Sequence, residues 1–232
     1  MKETQHLSSQ FDEDLSRLRT RALQMGGLVE TQVAGVLEAY STGKTQKILS
    51  LIEADRRINE LETLIDDDCA HTIAKRQPAA SDLRLVLGII RMVTDLERAG
   101  DEAKKIAHLV SRIYEHSYSP SQFGGGVRYM AERALKMIRD TLDAFARLDT
   151  VLAEQVIRAD ADVDSDFKSI MRELITHMME DPRTITIAMD ILWIARSIER
   201  IGDHAKNIAE HVIFVAEGQD VRHFDWSGPR KS

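Results

Sequence analysis

The residues best placed to do chemistry come in two matching sets. The stretch ERAGDEAKKIAHLV (97–110) and the stretch ERIGDHAKNIAEHV (199–212) agree at nine of fourteen positions. In each, two acids stand four residues apart: Glu97 and Asp101, then Glu199 and Asp203. On a helix that spacing puts both carboxylates on one face, one turn above the other. Like charges so placed oppose the helix by about 0.2–0.5 kcal/mol per pair. A second duplicated pair precedes each phrase, Asp55 with Asn59 and Asp160 with Asp164, again four apart. Two carboxylates on adjacent turns can chelate or bridge a hard cation. An oxygen-only donor set points to iron, manganese, magnesium or calcium rather than structural zinc. Asn59 offers an amide oxygen where Asp164 offers a carboxylate, so the second copy has the stronger ligand set.

The same residues also have a plainer explanation. At about 100° per residue the four acids of the repeated phrase lie far from the apolar stripe, facing solvent or another helix. Lys104 or Lys105 and Lys206 then neutralise Asp101 and Asp203 from three or four residues away. His108 and Glu210 occupy corresponding places further along the acidic face, and His204 adjoins Asp203; each could complete coordination or be an ordinary surface residue. Gly100 and Gly202 sit inside the phrase, where a glycine costs about 1 kcal/mol relative to alanine. Close approach of a neighbouring helix, or room for a metal cluster or partner, would offset that cost.

The elements that must position these residues are helices. Apolar residues recur by threes and fours from Phe11 through Leu15, Leu18, Ala22, Met25, Val29, Val36 and Tyr40, missing only at Gln32, until Ser41-Thr42-Gly43. A second stripe runs through Ile48, Leu51, Ile58, Leu61 and Ile65 to Gln77-Pro78, where proline bars continuation. A third, with Ser81 or Asp82 as its cap, runs from Leu85 to Ile113. The second trio follows: Ala131 to Phe145, Val156 to Leu174 ending at Asp181-Pro182, and Ile187 to Val215. The sixth stripe has the rhythm of the third, the mark of internal duplication. The predicted fold is all-α: two tandem, pseudo-symmetric three-helix bundles, six long helices, each trio packed up-down-up. The first bundle spans 1–118, a linker 119–126, the second bundle 127–218 and an irregular tail 219–232 carrying Phe224 and Trp226.

Composition closes off other classes. Hydrophobic residues make up 43% and charged residues 30%, with 4 Pro and 12 Gly, as expected of a folded helical chain. The net charge of -7, with basic residues interleaved among acids, leaves no stripe for a phosphate backbone, so no nucleic acid is expected. Cys69 is the single cysteine and reads as a small buried apolar residue. No stretch reaches the roughly 20 apolar residues of a spanning helix, and a cytoplasmic location is expected. No ferritin-type E-x-x-H pair appears on the helices that carry the acid pairs, and the sequence shows no Gly-rich phosphate loop, Ser-His-Asp candidate set or H-E-x-x-H, so no catalytic or cofactor-binding residue is assigned.

The two E-R-x-G-D-x-A-K-x-I-A phrases, each preceded by a helix with an Asp-x-x-x-Asp-like pair, and the EGQDVRH that follows the sixth helix resemble the PhoU family, accessory proteins of the bacterial phosphate-specific transport system. The resemblance covers nearly the whole chain and implies tandem three-helix bundles. It implies a non-enzymatic negative regulator of the phosphate starvation response and of phosphate uptake. Such a regulator links the phosphate ABC transporter's ATPase subunit to the phosphate-sensing histidine kinase, meeting the membrane only through these partners, with a homodimer as a further expectation. It also implies iron, manganese, magnesium or zinc ions on surface carboxylates. The ligands would be Glu97, Asp101, Glu199 and Asp203, with Asp55, Asn59, Asp160 and Asp164 as second contributors; Asn59 departs from the pattern. The competing readings are a metal buffer and a metal-dependent phosphohydrolase.

Overall fold

A computed structural model of the chain describes residues 2–115, 125–224 and 226, with side chains from residue 10 onward. Its helices are α1 (Lys2–Thr42), α2 (Ile48–Arg76), α3 (Ala80–Glu115), α4 (Gly125–Arg147), α5 (Thr150–Glu180) and α6 (Ile185–Glu217). Single 3-10 turns, Thr45–Lys47 and Pro182–Thr184, lead into α2 and α6. No strand occurs among the described residues. The expected linker lies mostly outside the described residues, and α4 already begins at Gly125.

Local chemistry sets the breaks. Gly43 takes a left-handed φ of 72° after α1, where a side chain would be strained. Its amide donates to the Ala39 carbonyl at 2.9 Å, closing the helix end. Pro78 and Pro182 stand just beyond α2 and α5, as the sequence predicts. Asp149 caps α5 by accepting from the Leu152 amide at 3.0 Å. Two expectations need correction. The first helix begins well before Phe11, because nothing in residues 2–10 breaks a helix. The third begins at Ala80, so neither Ser81 nor Asp82 stands at its cap; a left-handed Ala80 (φ 46°) makes the turn instead.

The apolar stripes become the core: Leu18, Met25, Ile58, Ile65, Ile89, Leu96, Ile106 and Ile138 are each at most 1% exposed. The helices α1–α3 pack on one another, as do α4–α6, and α3 and α6 make the most extensive helix contact in the molecule. They run antiparallel, since Arg112 meets Asp190, Glu102 meets Arg200, and Asp95 meets His211. A lesser contact joins α1 to α4, where Arg139 donates to Glu30 at 2.6 Å and Arg19 to the Ala146 carbonyl at 2.6 Å. Among the described residues, no helix is long and apolar enough to cross a membrane.

The larger of these contacts, α3 on α6, depends on a missing side chain. A Cβ on Gly88 of α3 would lie 2.2 Å from Val215 Cγ2 of α6, and one on Gly26 of α1 would lie 2.2 Å from Leu142 Cδ2 of α4. Valine cannot swing away as a long side chain can. Gly88→Val is therefore expected to destabilise the protein by about 1–3 kcal/mol. Gly27→Ala, whose Cβ would meet nothing within 4 Å, should stabilise by about 0.5–1 kcal/mol through helix entropy. Denaturant midpoints of the two variants should move in opposite directions.

Candidate functional site

Each half places its acids in the seam between its second and third helices. In the second half, α5 carries Asp160 and Asp164 and α6 carries Glu199 and Asp203, one turn apart on the faces that meet. One carboxylate oxygen each from Asp160, Asp164 and Asp203 falls within 4.8 Å of the others. Asp160 and Glu199 are buried, while Asp164 and Asp203 are half-buried and open the seam to solvent. In the first half Asp55 is buried and Glu97 and Asp101 are half-buried, but Asn59 is exposed. The expectation of surface carboxylates thus needs correcting. Packing of α2 on α3 and of α5 on α6 draws the acids into clefts, because the residues beside them, Ile58 and Val163, are core residues 0% exposed.

The lysines also pair differently from the expectation. Lys104 donates to Asp55 at 2.7 Å and Lys206 to Asp160 at 2.6 Å, bridging from the third helix to the second in both halves. Lys105 turns the other way, onto Glu102 at 2.9 Å. One buried aspartate per seam is thereby compensated, and in the second seam Arg196 also pairs with Glu199. Burial pushes the Asp203 carboxyl above its ordinary range, with Asp160 and Asp164 adding repulsion and Lys206 offsetting part of it. Burial and Asp203 likewise push Glu199 up, against the pull of Arg196, which donates to its Oε1 at 2.5 Å. In the first half, burial and then Asp101 and Asp55 push Glu97 up. Two buried oxygens, Asp55 Oδ1 and Glu199 Oε2, have no hydrogen-bond partner. An orphaned buried acceptor is costly and asks for a cation or a donor.

The glycines of the phrase divide between the two explanations. A Cβ on Gly100 would lie 3.2 Å from Gln32 Oε1 and 3.3 Å from Ile58 Cδ1, so tight packing accounts for it. A Cβ on Gly202 would find ordinary contact, 3.4 Å from Val163 Cγ1, and packing within the chain does not explain it. Gln32, the break in the first stripe, is buried and donates to the Leu51 carbonyl at 3.0 Å.

His108 is exposed, as a surface residue should be. His204 is not: it is buried between the halves, its Nδ1 2.9 Å from Asp95 Oδ1. Asn207 Nδ2 donates to the same oxygen at 3.1 Å, and His211 Nε2 lies 3.2 Å from Oδ2. An ionised carboxylate only accepts, so the ring nitrogens are the donors. Burial alone would push Asp95 up, but the bonds from His204, His211 and Asn207 outweigh it and hold the carboxyl well below the usual range. Sequence reasoning passed over this knot; the one available hint was a charge set directly between the core residues Met92 and Leu96.

An all-helical chain of two matched bundles, each with an acid-lined seam bridged by one lysine, defines a duplicated bundle protein. Comparison with known proteins identifies which kind. Residues 22–110 and 127–212 each match the PhoU domain. The phosphate-specific transport system accessory protein PhoU homolog of Pseudomonas putida is 46% identical over 220 residues, 95% of this chain and 86% of that protein. The crystal structure of PhoU from Pseudomonas aeruginosa superposes with a TM-score of 0.87 at 45% identity, covering 90% of this chain and all of that one. That of the phosphate transport system regulatory protein PhoU from Streptococcus pneumoniae gives 0.83 at 28% identity, covering 91% and 99%. The chain belongs to the PhoU family.

Glu210 stands apart from the seam acids. It is buried, and burial pushes its carboxyl up to about 7, with Lys206 and Arg222 offsetting only part. The folded chain then holds a proton that the unfolded chain has released by about pH 5. Its stabilising contribution is full below the ordinary carboxylate range and is lost as pH rises through about 7. Thermal unfolding temperature should therefore fall between about pH 5 and pH 8, and Glu210→Gln should flatten part of that fall.

Proposed function

We propose that the chain is a regulatory accessory of phosphate transport, a negative regulator of the phosphate starvation response and of phosphate uptake. In this reading it is a cytoplasmic adaptor, linking the phosphate ABC transporter's ATPase subunit to the phosphate-sensing histidine kinase without catalysing a reaction. The observation that carries it is similarity over nine-tenths or more of the chain, in sequence and in fold, to proteins named as accessory and regulatory components of phosphate transport. Long, rigid helices suit the role, since an adaptor acts by binding two partner states with different affinity. The membrane is reached through those partners.

The acidic seams fit hard cations. Asp160, Asp164, Glu199 and Asp203 would hold one set and Asp55, Glu97 and Asp101 the other. In the second seam the fit rests on the convergence of Asp160, Asp164 and Asp203 and the orphaned oxygen of Glu199; in the first it rests on oxygen-only donors and the orphaned oxygen of Asp55. A bound cation would supply charge compensation and a bridge between the second and third helices. Iron, manganese and magnesium suit this donor set; zinc suits it less.

Deleting the gene and assaying alkaline phosphatase in phosphate-rich medium tests the regulatory role. Constitutive expression is expected, and unchanged repression would refute it. The metal reading is tested separately by elemental analysis of protein purified without chelators. Asp160→Asn/Asp203→Asn should lose at least half of the bound metal; equal content in both proteins would remove the second seam as a site. Phosphoester turnover that disappears in the same variant would favour the hydrolase instead.

A further inference from the structure

Duplication makes each end of the α3–α6 contact a control for the other. In the register that pairs Glu97 with Glu199, the start of α3 corresponds to the start of α6, and the end of α6 to the end of α3. Toward the start of α3 the contact is closed. Arg91 lies 5.0 Å from the centre of the Phe214 ring, and Val215 fills the space left by Gly88. Toward the start of α6 the equivalent places hold different residues: Asp190 for Gly88, Arg112 for Phe214, Trp193 for Arg91 and Thr186 for Arg84. Arg112 Nε donates to Asp190 at 2.9 Å, and beside this pair a groove of about 590 Å³ remains, walled by Ile113, Ile185, Ile187 and Met189. Ile185, Met189 and Trp193 share one face of α6 at four-residue spacing. Ile185 is 45% exposed and Trp193 55%. A tryptophan exposed beside an apolar groove is the kind of side chain that anchors protein contacts.

What covers the equivalent place at the other end is visible. Gly218, with a left-handed φ of 75°, follows α6 and turns the chain back; a Cβ on it would lie 3.4 Å from Arg84 Cζ. Val221 comes next into the core, 4% exposed, and the Phe224 amide donates to its carbonyl at 3.0 Å. The Asp220 carboxyl is held below its usual range, first by the bond from Arg222 and last by Arg91, which puts this segment over α3. Residues 218–222 thus span Arg84 and Arg91, the places that Thr186 and Trp193 take at the other end. Arg158 then fastens the tail, donating to the Trp226 carbonyl at 2.7 Å and lying 5.6 Å from the centre of its ring. Among the described residues, no such segment covers the groove at the start of α6.

We propose that this groove is a docking site for a short apolar segment of a partner protein, seated as residues 218–222 are seated at the opposite end. Its preference follows from what differs between the two grooves. Trp193 replaces the arginine that acts on Asp220, so an acid at that point would lose its counter-charge and meet an indole. A leucine there gains instead from burial against Trp193, Met189 and Ile185. The inference rests on the adaptor reading above and gives it a place of attachment.

The test uses the full chain and two fluorescein-labelled peptides: GQDVRHF, which copies residues 218–224, and the same peptide with Asp220→Leu. Binding is read by fluorescence anisotropy. The leucine peptide should bind saturably with a Kd below about 1 mM, at least tenfold more tightly than the native sequence. Trp193→Arg, which restores the arginine of the other end, should cancel or reverse that preference. Ile185→Asp should abolish binding of the leucine peptide and leave the unfolding temperature unchanged, since the position is exposed and an acid suits the first turn of a helix. Binding that survives Ile185→Asp would place the peptide elsewhere and overturn the proposal, as would a preference that Trp193→Arg does not move. No binding of either peptide, with alkaline phosphatase constitutive on gene deletion, would overturn the groove and leave the regulatory reading standing.

Discussion

The packing of α3 against α6 is the constraint on which the rest of the molecule depends. Each of these helices is the innermost member of its own trio, and each carries one of the repeated acidic phrases. Pressed together, they bury Asp95, which is only 6% exposed. A carboxylate in such a place is tolerated only if donors surround it, and the partner helix brings three: His204, Asn207 and His211. Sliding α6 by a turn would strand the charge. The polar knot thus selects one register from the several that apolar stripes alone would accept, and Glu102 with Arg200 and Arg112 with Asp190 hold the same register further along. The register in turn decides that Gly88 meets Val215, so backbones approach where a side chain would collide.

Because that contact occupies one face of α3 and α6, the acids of the repeated phrases are turned toward α2 and α5. A helix seam is a poor place for like charges: water is partly excluded, repulsion is less screened, and every carboxylate pays for burial. The protein answers identically in both halves, with one lysine reaching across to the deepest aspartate. Beyond that the halves part. The second seam adds Arg196, braced on Phe167, while the first loses the acid at 59. Duplication followed by divergence has left two seams lined by different side chains, and among the described residues only the second brings three carboxylates together, those of Asp160, Asp164 and Asp203.

Much of this was legible from local spacing. The six helices, the proline stops and the matched phrases follow from the recurrence of apolar residues, since a stripe at threes and fours has only one regular structure that buries it. The acid pairs four apart were equally plain, because neighbours on adjacent turns are set by the backbone alone. The lysine pairing was misread for the same reason: Lys206 lies within reach of Asp203 along its own helix, and only the approach of α5 offers the more deeply buried Asp160 instead. His204 was misread as a surface residue because nothing in its neighbourhood in the chain reveals the helix that covers it.

The sequence by itself thus determined whatever depends on bonds within a turn or two: helix, stripe, repeat and the adjacency of Glu97 with Asp101 and Glu199 with Asp203. The tertiary structure alone decided which groups from different helices converge. Asp95 and His204 are 109 residues apart in the chain, and Lys104 and Asp55 are 49 apart. No local preference encodes such distances. They are set by how whole apolar faces fit together, and the buried charges then settle which of the available fits can be tolerated.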